Sequence, residues 1–263
     1  MHSFTSEIEN VTGKPCQHSN YNLTFVSWID QVMVHTHDCY KLVASLDHSF
    51  NCQIDGKDYK NLNGFIVNQS VSHACEAPRA TVLVSFIEPE STWGWKLKSI
   101  LNDQPFVDLS LLLEKEEISG ALPGNYGTLL NEELIPYANE FFDKLFATGD
   151  PDRRMDDRIA RAVEYINQNL DSTLELDAIA DLMCLSPERA RHLFVEEMGT
   201  PFSQYVLWRR IKETLRAVIV DRSKFTQACL KSGFADQPHF NRVFKRIFGM
   251  VPKDLMLYSR ILI

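Results

Sequence analysis

Two stretches of the C-terminal part of this chain superimpose at a shift of 50 residues, and that repeat constrains the fold more than any other feature. Phe194, Gly199, Phe202 and Tyr205 correspond to Phe244, Gly249, Pro252 and Leu255. Leu193 corresponds to Val243, and Arg191-His192 to Asn241-Arg242. Each unit reads as a short helix, a tight turn, a second helix ending at a glycine, then another helix. A small residue stands where two helices would cross closely, Ala180 in the first unit and Cys229 in the second. Ile179, Met183, Ala190 and Leu193 supply the inward positions of a helix-turn-helix. A duplicated helical bundle that binds nothing would share this pattern. Two such units in tandem, in the basic part of the chain, favour DNA binding instead.

The charge distribution supports the same reading. The chain carries a formal net charge of −8, which taken whole argues against nucleic acid. Residues 158–263 hold 16 Lys and Arg against 12 Asp and Glu, a net +4, and residues 1–157 carry −12. Only the C-terminal part need face phosphates. Apolar periodicity predicts helices from Asp157 to Asn169, Leu176 to Met183, Ser186 to Met198, Phe202 to about Val220, Phe225 to Ser232, Gln237 to Phe248 and Pro252 to Tyr258. Ser186-Pro187-Glu188 is a strong helix start, with serine as N-cap, proline at the first helical position and an acid in the first turn. Phe194, Phe240, Phe244 and Phe248 are expected in the core.

Residues 158–260 resemble the DNA-binding domain of the AraC/XylS family of transcriptional regulators. The run Gly233-Phe234-Ala235-Asp236-Gln237-Pro238-His239-Phe240-Asn241-Arg242-Val243-Phe244-Lys245-Arg246-Ile247-Phe248-Gly249-Met250-Val251-Pro252 is similar to the family signature nearly throughout, as are Ile179-Ala180, Leu185-Ser186 and Leu193-Phe194. The chain departs from it at Cys184, where glycine is common in the turn, at Ala228-Cys229 and at Leu255-Met256. The resemblance implies base-reading positions at Glu188, Arg191 and His192 in the first unit, and at Gln237, His239, Asn241 and Arg242 in the second. Arginine can bind guanine in a bidentate way, Gln or Asn can pair with adenine, and Glu can accept from cytosine. Glu188 and Arg191 could instead be a solvated surface pair, and Arg242 a phosphate contact. Lys245 and Arg246 are expected at phosphates or plain surface. The long helix would hold the two reading heads apart, about 34 Å if they enter successive major grooves.

Residues 20–88 read as short strands separated by polar turns, which suggests a small barrel or sandwich. Asp55-Gly56 between two short runs is a hairpin signal. His35-Thr36-His37-Asp38-Cys39-Tyr40, followed by Asp55-Gly56 and then Val71-Ser72-His73, resembles the cupin-like sensor barrel of many AraC regulators. A His-x-His on a strand would put both imidazoles on one face, and a third histidine is the usual metal geometry of cupins. Cupins normally add a glutamate a few residues later; Tyr40-Lys41-Leu42 occupies that place. His35, His37 and His73 are therefore expected to line a pocket for a small organic effector, with a bound metal and plain structural histidines as the other readings. No metal and no cofactor are expected.

The fold class expected is a multi-domain chain: a cupin-like β-barrel in residues 1–92, a helical dimerisation segment and linker in 93–150, and an all-α tandem helix-turn-helix domain in 151–263. Apolar residues at helical spacing between Leu129 and Phe146 include Leu134, Tyr137, Phe141 and Leu145, a seam for a homodimer or for packing on the chain's own barrel. The expected function is that of a sequence-specific regulator binding double-stranded DNA, as an activator meeting RNA polymerase. The alternatives from other classes are a cupin-type metal enzyme fused to a helical module, which the missing glutamate disfavours, and a DNA-repair alkyltransferase, which would need a Cys-rich zinc site that Cys16 alone does not supply. No P-loop, HExxH, GxSxG or GxGxxG appears, so an enzyme is not expected. Six cysteines without a CxxC pair, no basic-then-apolar start between Met1 and Val11, and no long apolar run point to a reducing cytoplasm and no membrane partner.

Overall fold

The computed structural model describes residues 22–113, 131–146 and 155–262. Strands β1 (Leu23–Ser27), β3 (Tyr40–Ser45), β6 (Gly64–Val67), β8 (Val82–Ile87), β9 (Phe106–Asp108) and β10 (Ser259–Leu262) form one antiparallel sheet in the order β10-β1-β8-β3-β6-β9. Strands β2 (Gln31–His35), β4 (Phe50–Ile54), β5 (Lys57–Leu62) and β7 (His73–Glu76) form a second, in the order β2-β7-β4-β5. The helices are α1 (Thr92–Leu101), α2 (Ser110–Leu113), α3 (Asn131–Leu145), α4 (Asp157–Gln168), α5 (Leu176–Leu182), α6 (Pro187–Met198), α7 (Phe202–Ile219), α8 (Phe225–Lys231), α9 (Gln237–Phe248) and α10 (Pro252–Tyr258).

The β4–β5 hairpin turns at Asp55-Gly56, both with positive φ (51° and 74°), the geometry that Asp-Gly supplies best. The cupin-like barrel expected from the sequence is corrected to two open sheets. β5 presents Lys57, Asp58, Lys60 and Asn61 to solvent, a charged edge that further pairing would desolvate. At the other sheet β10, the last described strand, covers β1 with Thr24 opposite Leu262 and Ser27 opposite Ser259. The N-terminal sheet therefore contains a strand from the far end of the chain, and another, β9, from beyond residue 92.

Three apolar clusters organise the interior. One lies between the two sheets and runs without a break from Phe25, Phe50, Phe65 and Phe86 into Trp208, Phe240, Phe244 and Phe248 of the helical region. A second lies on the outer face of the large sheet, where Tyr40, Leu42 and Ile66 meet Trp93 and Leu97 of α1 and Leu134, Phe141 and Phe142 of α3. The third belongs to α4, α5, α6 and the start of α7. The expected dimer seam is partly consumed by the second cluster: Leu134 and Phe141 are covered within the chain, and Tyr137 is the more open member. Leu129 and Leu130 lie outside the described residues.

Candidate functional site

The 50-residue repeat of the sequence is a repeat of the backbone. α6 and α9 span 12 residues each and start 50 positions apart. Ser186 accepts a capping hydrogen bond from the amide of Arg189, and Asp236 accepts one from that of His239. Both helices end on a glycine in the left-handed region, Gly199 at φ 69° and Gly249 at φ 68°. The turns before them share one hydrogen-bond pattern: Leu185 N–H donates to Ala180 O at 2.9 Å, and Phe234 N–H to Cys229 O at 3.0 Å. The left-handed residue in that turn is Gly233 in the second unit and Cys184 in the first, φ 82° and 55°.

This frame turns Glu188, Arg191, His192, Asn241 and Arg242 to solvent, with Arg191 and His192 at the positions that Asn241 and Arg242 hold on the second helix. Glu188 lies 3.7 Å from His192 one turn on, a surface pair. Gln237 and His239 are half-buried: Gln237 Oε1 accepts from the Thr226 hydroxyl at 2.8 Å, and the His239 ring packs edge-on against Phe234. These two are held in the helix-turn-helix framework, while the other five are exposed. Phe194, Phe240, Phe244 and Phe248 are fully buried, as expected.

The C-terminal ends of both helices dock on the N-terminal sheets. The Gln69 amide donates to Met198 O at 3.0 Å and to Asp38 O at 2.7 Å. Met33 N–H donates to Gly249 O at 3.3 Å. A Cβ on Gly249 would stand 2.4 Å from Met33 O and 2.7 Å from His35 Nδ1, so only glycine fits.

His35, His37 and His73 come together as a buried cluster, with ring centroids 4.2–5.8 Å apart. His35 and His73 are cross-strand partners on β2 and β7. His37 is not on the strand with His35, as the His-x-His spacing suggested. The chain leaves β2 after His35, and the His37 ring is held instead by its own turn, Nδ1 donating to Cys39 O at 2.8 Å. His35 and His73 likewise donate from Nδ1, to Met33 O at 2.8 Å and Val71 O at 2.9 Å. A carbonyl only accepts, so all three protons sit on Nδ1 and all three Nε2 lone pairs are left as acceptors. Lys41 Nζ lies 3.3 Å from both His35 Nε2 and His73 Nε2. His37 Nε2 has no hydrogen-bond partner among the described residues. Burial, followed by the Lys41 charge, lowers His35 to about 2 and His37 to about 3, and holds His73 well below its usual range. Burial lowers Lys41 to about 8. The sequence marked Lys41 as standing where cupins have glutamate, without revealing that its amine reaches the histidines.

A second cluster escaped sequence reasoning. Glu88, fully buried at the end of β8, accepts from Trp208 Nε1 at 3.0 Å, Arg209 Nη1 at 3.1 Å and Lys212 Nζ at 2.7 Å, all on α7. Two residues on, Glu90 accepts from the Tyr205 hydroxyl at 2.6 Å. Burial and the Glu88 charge raise Glu90 to about 7. Glu88-Pro89-Glu90 after an apolar strand was the available signal, and partners 115–124 positions away could not be read from it. Phe86 joins the two clusters: its ring lies 5.1 Å from His37, 5.5 Å from Trp208 and 4.8 Å from Phe248.

Comparison with known proteins places these features. Residues 179–257 match the family model of a helix-turn-helix domain. The chain is 33% identical over 101 residues to the arabinose operon regulatory protein of Escherichia coli (strain K12), covering 38% of this chain and 35% of that protein. It is 25% identical over 156 residues to the XylDLEGF operon transcriptional activator of Pseudomonas putida, covering 56% and 46%. It thus spans between a third and a half of these relatives. Among solved structures it resembles apo ToxT K231A from Vibrio cholerae, with a TM-score of 0.58 over 92% of this chain and 98% of that one at 14% identity. Unsaturated fatty acid bound wild-type ToxT gives 0.55 over 92% and 97%, also at 14% identity. The two-part fold, β-sheets followed by tandem helix-turn-helix units, is shared along nearly the whole chain.

Proposed function

Because this chain carries the DNA-binding domain of the AraC family of transcriptional regulators, we propose that it is a sequence-specific regulator of transcription that reads two adjacent major grooves with α6 and α9. The observation that carries this is the pair of like-capped helices 50 residues apart, each exposing arginine and amide or carboxylate side chains from its first turns. Exposed Glu188, Arg191, His192, Asn241 and Arg242 are the readers; Gln237 and His239 adjust the second head from half-buried positions. Lys245 and Arg246, a turn further on, suit phosphates. One chain covers an asymmetric site, because its two heads differ in sequence.

The same proposal assigns sensing to the two sheets, built mainly from residues 22–92, with His35, His37 and His73 as the effector site. The effector is a small molecule or ion, and a ligand that favours one docking state over the other shifts DNA affinity. The continuous core from the histidines through Phe86 to Phe248 and Trp208 supports this, as does ToxT, solved with an unsaturated fatty acid. The second helix-turn-helix shares that core and the first does not, so the effector acts chiefly on α9. The sign of regulation proposed is activation, supported by the relative in Pseudomonas putida, whose name is that of a transcriptional activator; RNA polymerase would then be the partner. A homodimer would use faces other than Leu134 and Phe141. Residence in the cytoplasm fits a DNA-binding protein, and no helix among the described residues is long and apolar enough to cross a membrane.

Selection of duplexes from a random pool by the full chain tests the reading. The enriched sites should carry two distinct elements about 34 Å apart, one turn of B-DNA. Enrichment of no sequence, or of one element alone, would contradict it.

A further inference from the structure

We propose that the Nε2 atoms of His35, His37 and His73 form a binding site for a divalent transition-metal ion of the zinc class, at the position the Lys41 amine holds. The inference deepens the effector reading of this cluster and rests on it. Three observations carry it. First, each Nδ1 proton is tied to a backbone carbonyl, of Met33, Cys39 and Val71, at 2.8–2.9 Å. Metal-bound histidines are fixed in this way, the outer hydrogen bond setting the tautomer and aiming the other nitrogen inward. Second, ligand nitrogens of the three histidines lie within 4.8 Å of one another, and all three side chains are buried. Third, His37 Nε2 is a buried acceptor with no partner among the described residues, and such a group costs stability unless something meets it.

The size and chemistry of the site select the occupant. Ligand nitrogens within 4.8 Å of one another, on rings whose centroids are 4.2–5.8 Å apart, suit a single ion held by all three. Three neutral imidazoles without a carboxylate suit zinc, copper, nickel or iron, whereas magnesium and calcium take oxygen ligands. Three histidines with an open fourth position are an established zinc arrangement. Lys41 is the built-in competitor: its Nζ, 3.3 Å from two of the Nε2 atoms, must leave before an ion enters. Its removal should therefore strengthen metal binding, the opposite of what loss of an ordinary pocket residue does.

The test uses the full chain, stripped with a chelator and titrated with Co²⁺ as a spectroscopic probe, then with Zn²⁺ in competition. The wild type should bind one ion per chain and show the visible absorption of cobalt in a low-coordinate nitrogen site. His37→Ala and His73→Ala should each weaken binding by more than the about 10–100-fold that losing an outer partner costs. Lys41→Met should tighten it by about tenfold or more, because a buried positive charge beside the ion is gone. Circular dichroism establishes that each variant is folded. Absence of a bound ion from both folded wild type and folded Lys41→Met overturns the proposal, as does binding unchanged in both histidine variants. Binding to the selected DNA is measured on the same preparations. Metal binding without sequence-specific DNA binding would sustain the site and sink the regulator reading; sequence-specific DNA binding with no metal bound would do the reverse.

Discussion

Replacing Glu88 by alanine should loosen the joint between the N-terminal sheets and α7 more than any other single polar substitution. Glu88 is fully buried and receives hydrogen bonds from Trp208, Arg209 and Lys212, the two cations being only 15% exposed. Alanine leaves an arginine and a lysine, both mostly buried, without the carboxylate that they share. Removing one partner of a buried pair costs about 3–5 kcal/mol, mostly as the penalty on the charges left behind. The loss sets in where the sheets meet α7, so docking fails before either part unfolds. With a urea slope of about 1–3 kcal/mol/M, the first transition should move down by roughly 1–5 M. Hydrogen exchange should rise in β10 and β1, which hold the two parts together through backbone bonds. A triple variant, Glu88→Leu, Arg209→Met and Lys212→Met, removes all three charges of this network together and should recover most of the loss, since apolar replacements of buried ion networks are often neutral or better. If Glu88→Ala lies within about 0.5 kcal/mol of wild type, as surface substitutions do, or the triple variant is worse than the single one, the account of this joint is wrong.

Glu90 makes the same interface pH-dependent. Its folded value of about 7 lies above the ordinary 4.5, so the associated stability is full below about pH 4.5 and lost as pH rises through 7; Glu90→Gln, uncharged throughout, should be more stable than wild type at pH 8 by about 1–3 kcal/mol and nearly equal at pH 5. Parallel melting profiles would refute this. Cys184 holds the left-handed turn position that Gly233 fills in the other unit; Cys184→Gly should raise stability by about 0.5–1 kcal/mol by removing the Cβ strain. Gly233→Ala should be strongly destabilising, because a Cβ there meets Leu170 O at 2.1 Å. Thermal melts of the two variants give the opposite signs or reject the equivalence. Phe141→Glu should lose at least about 3 kcal/mol as a core substitution at any protein concentration; a variant as stable as wild type but altered only in light scattering would return that side chain to a dimer interface.

The features legible in the sequence were those written within a few residues of each other. Ser186-Pro187 capped a helix at the expected position, Gly199 and Gly249 ended two helices, and Asp55-Gly56 turned a hairpin, because caps and tight turns depend on local backbone geometry. The helices from α4 to α10 followed their apolar period to within about two residues, the usual scatter of helix ends. The sheets were read less well. β7, β9 and β10 are three or four residues long and exist because a neighbouring strand offers its edge, which no local pattern announces. Ser259-Arg260-Ile261-Leu262 reads as a tail until β1 is beside it. The histidines that the sequence grouped do come together in space, but their geometry depends on a turn at His37 and on Lys41 reaching across the cluster. Glu88 and its three donors are joined by 120–124 positions of chain, and only packing brings them together.

The most direct test of the whole account measures the affinity of wild type, Arg191→Ala and Arg242→Ala for a selected duplex and for its scrambled counterpart, by fluorescence anisotropy over a range of salt. Arg191 is exposed on α6 and Arg242 on α9, the second helix of each unit. Each substitution should weaken the selected duplex by about 1–3 kcal/mol, with a smaller effect on the scrambled one. Wild-type affinity should fall steeply with salt, as phosphate contacts require. Loss of the same size on both duplexes would make the arginines phosphate contacts and not readers. No loss on either, with the variants folded, would contradict the claim that these two helices read DNA.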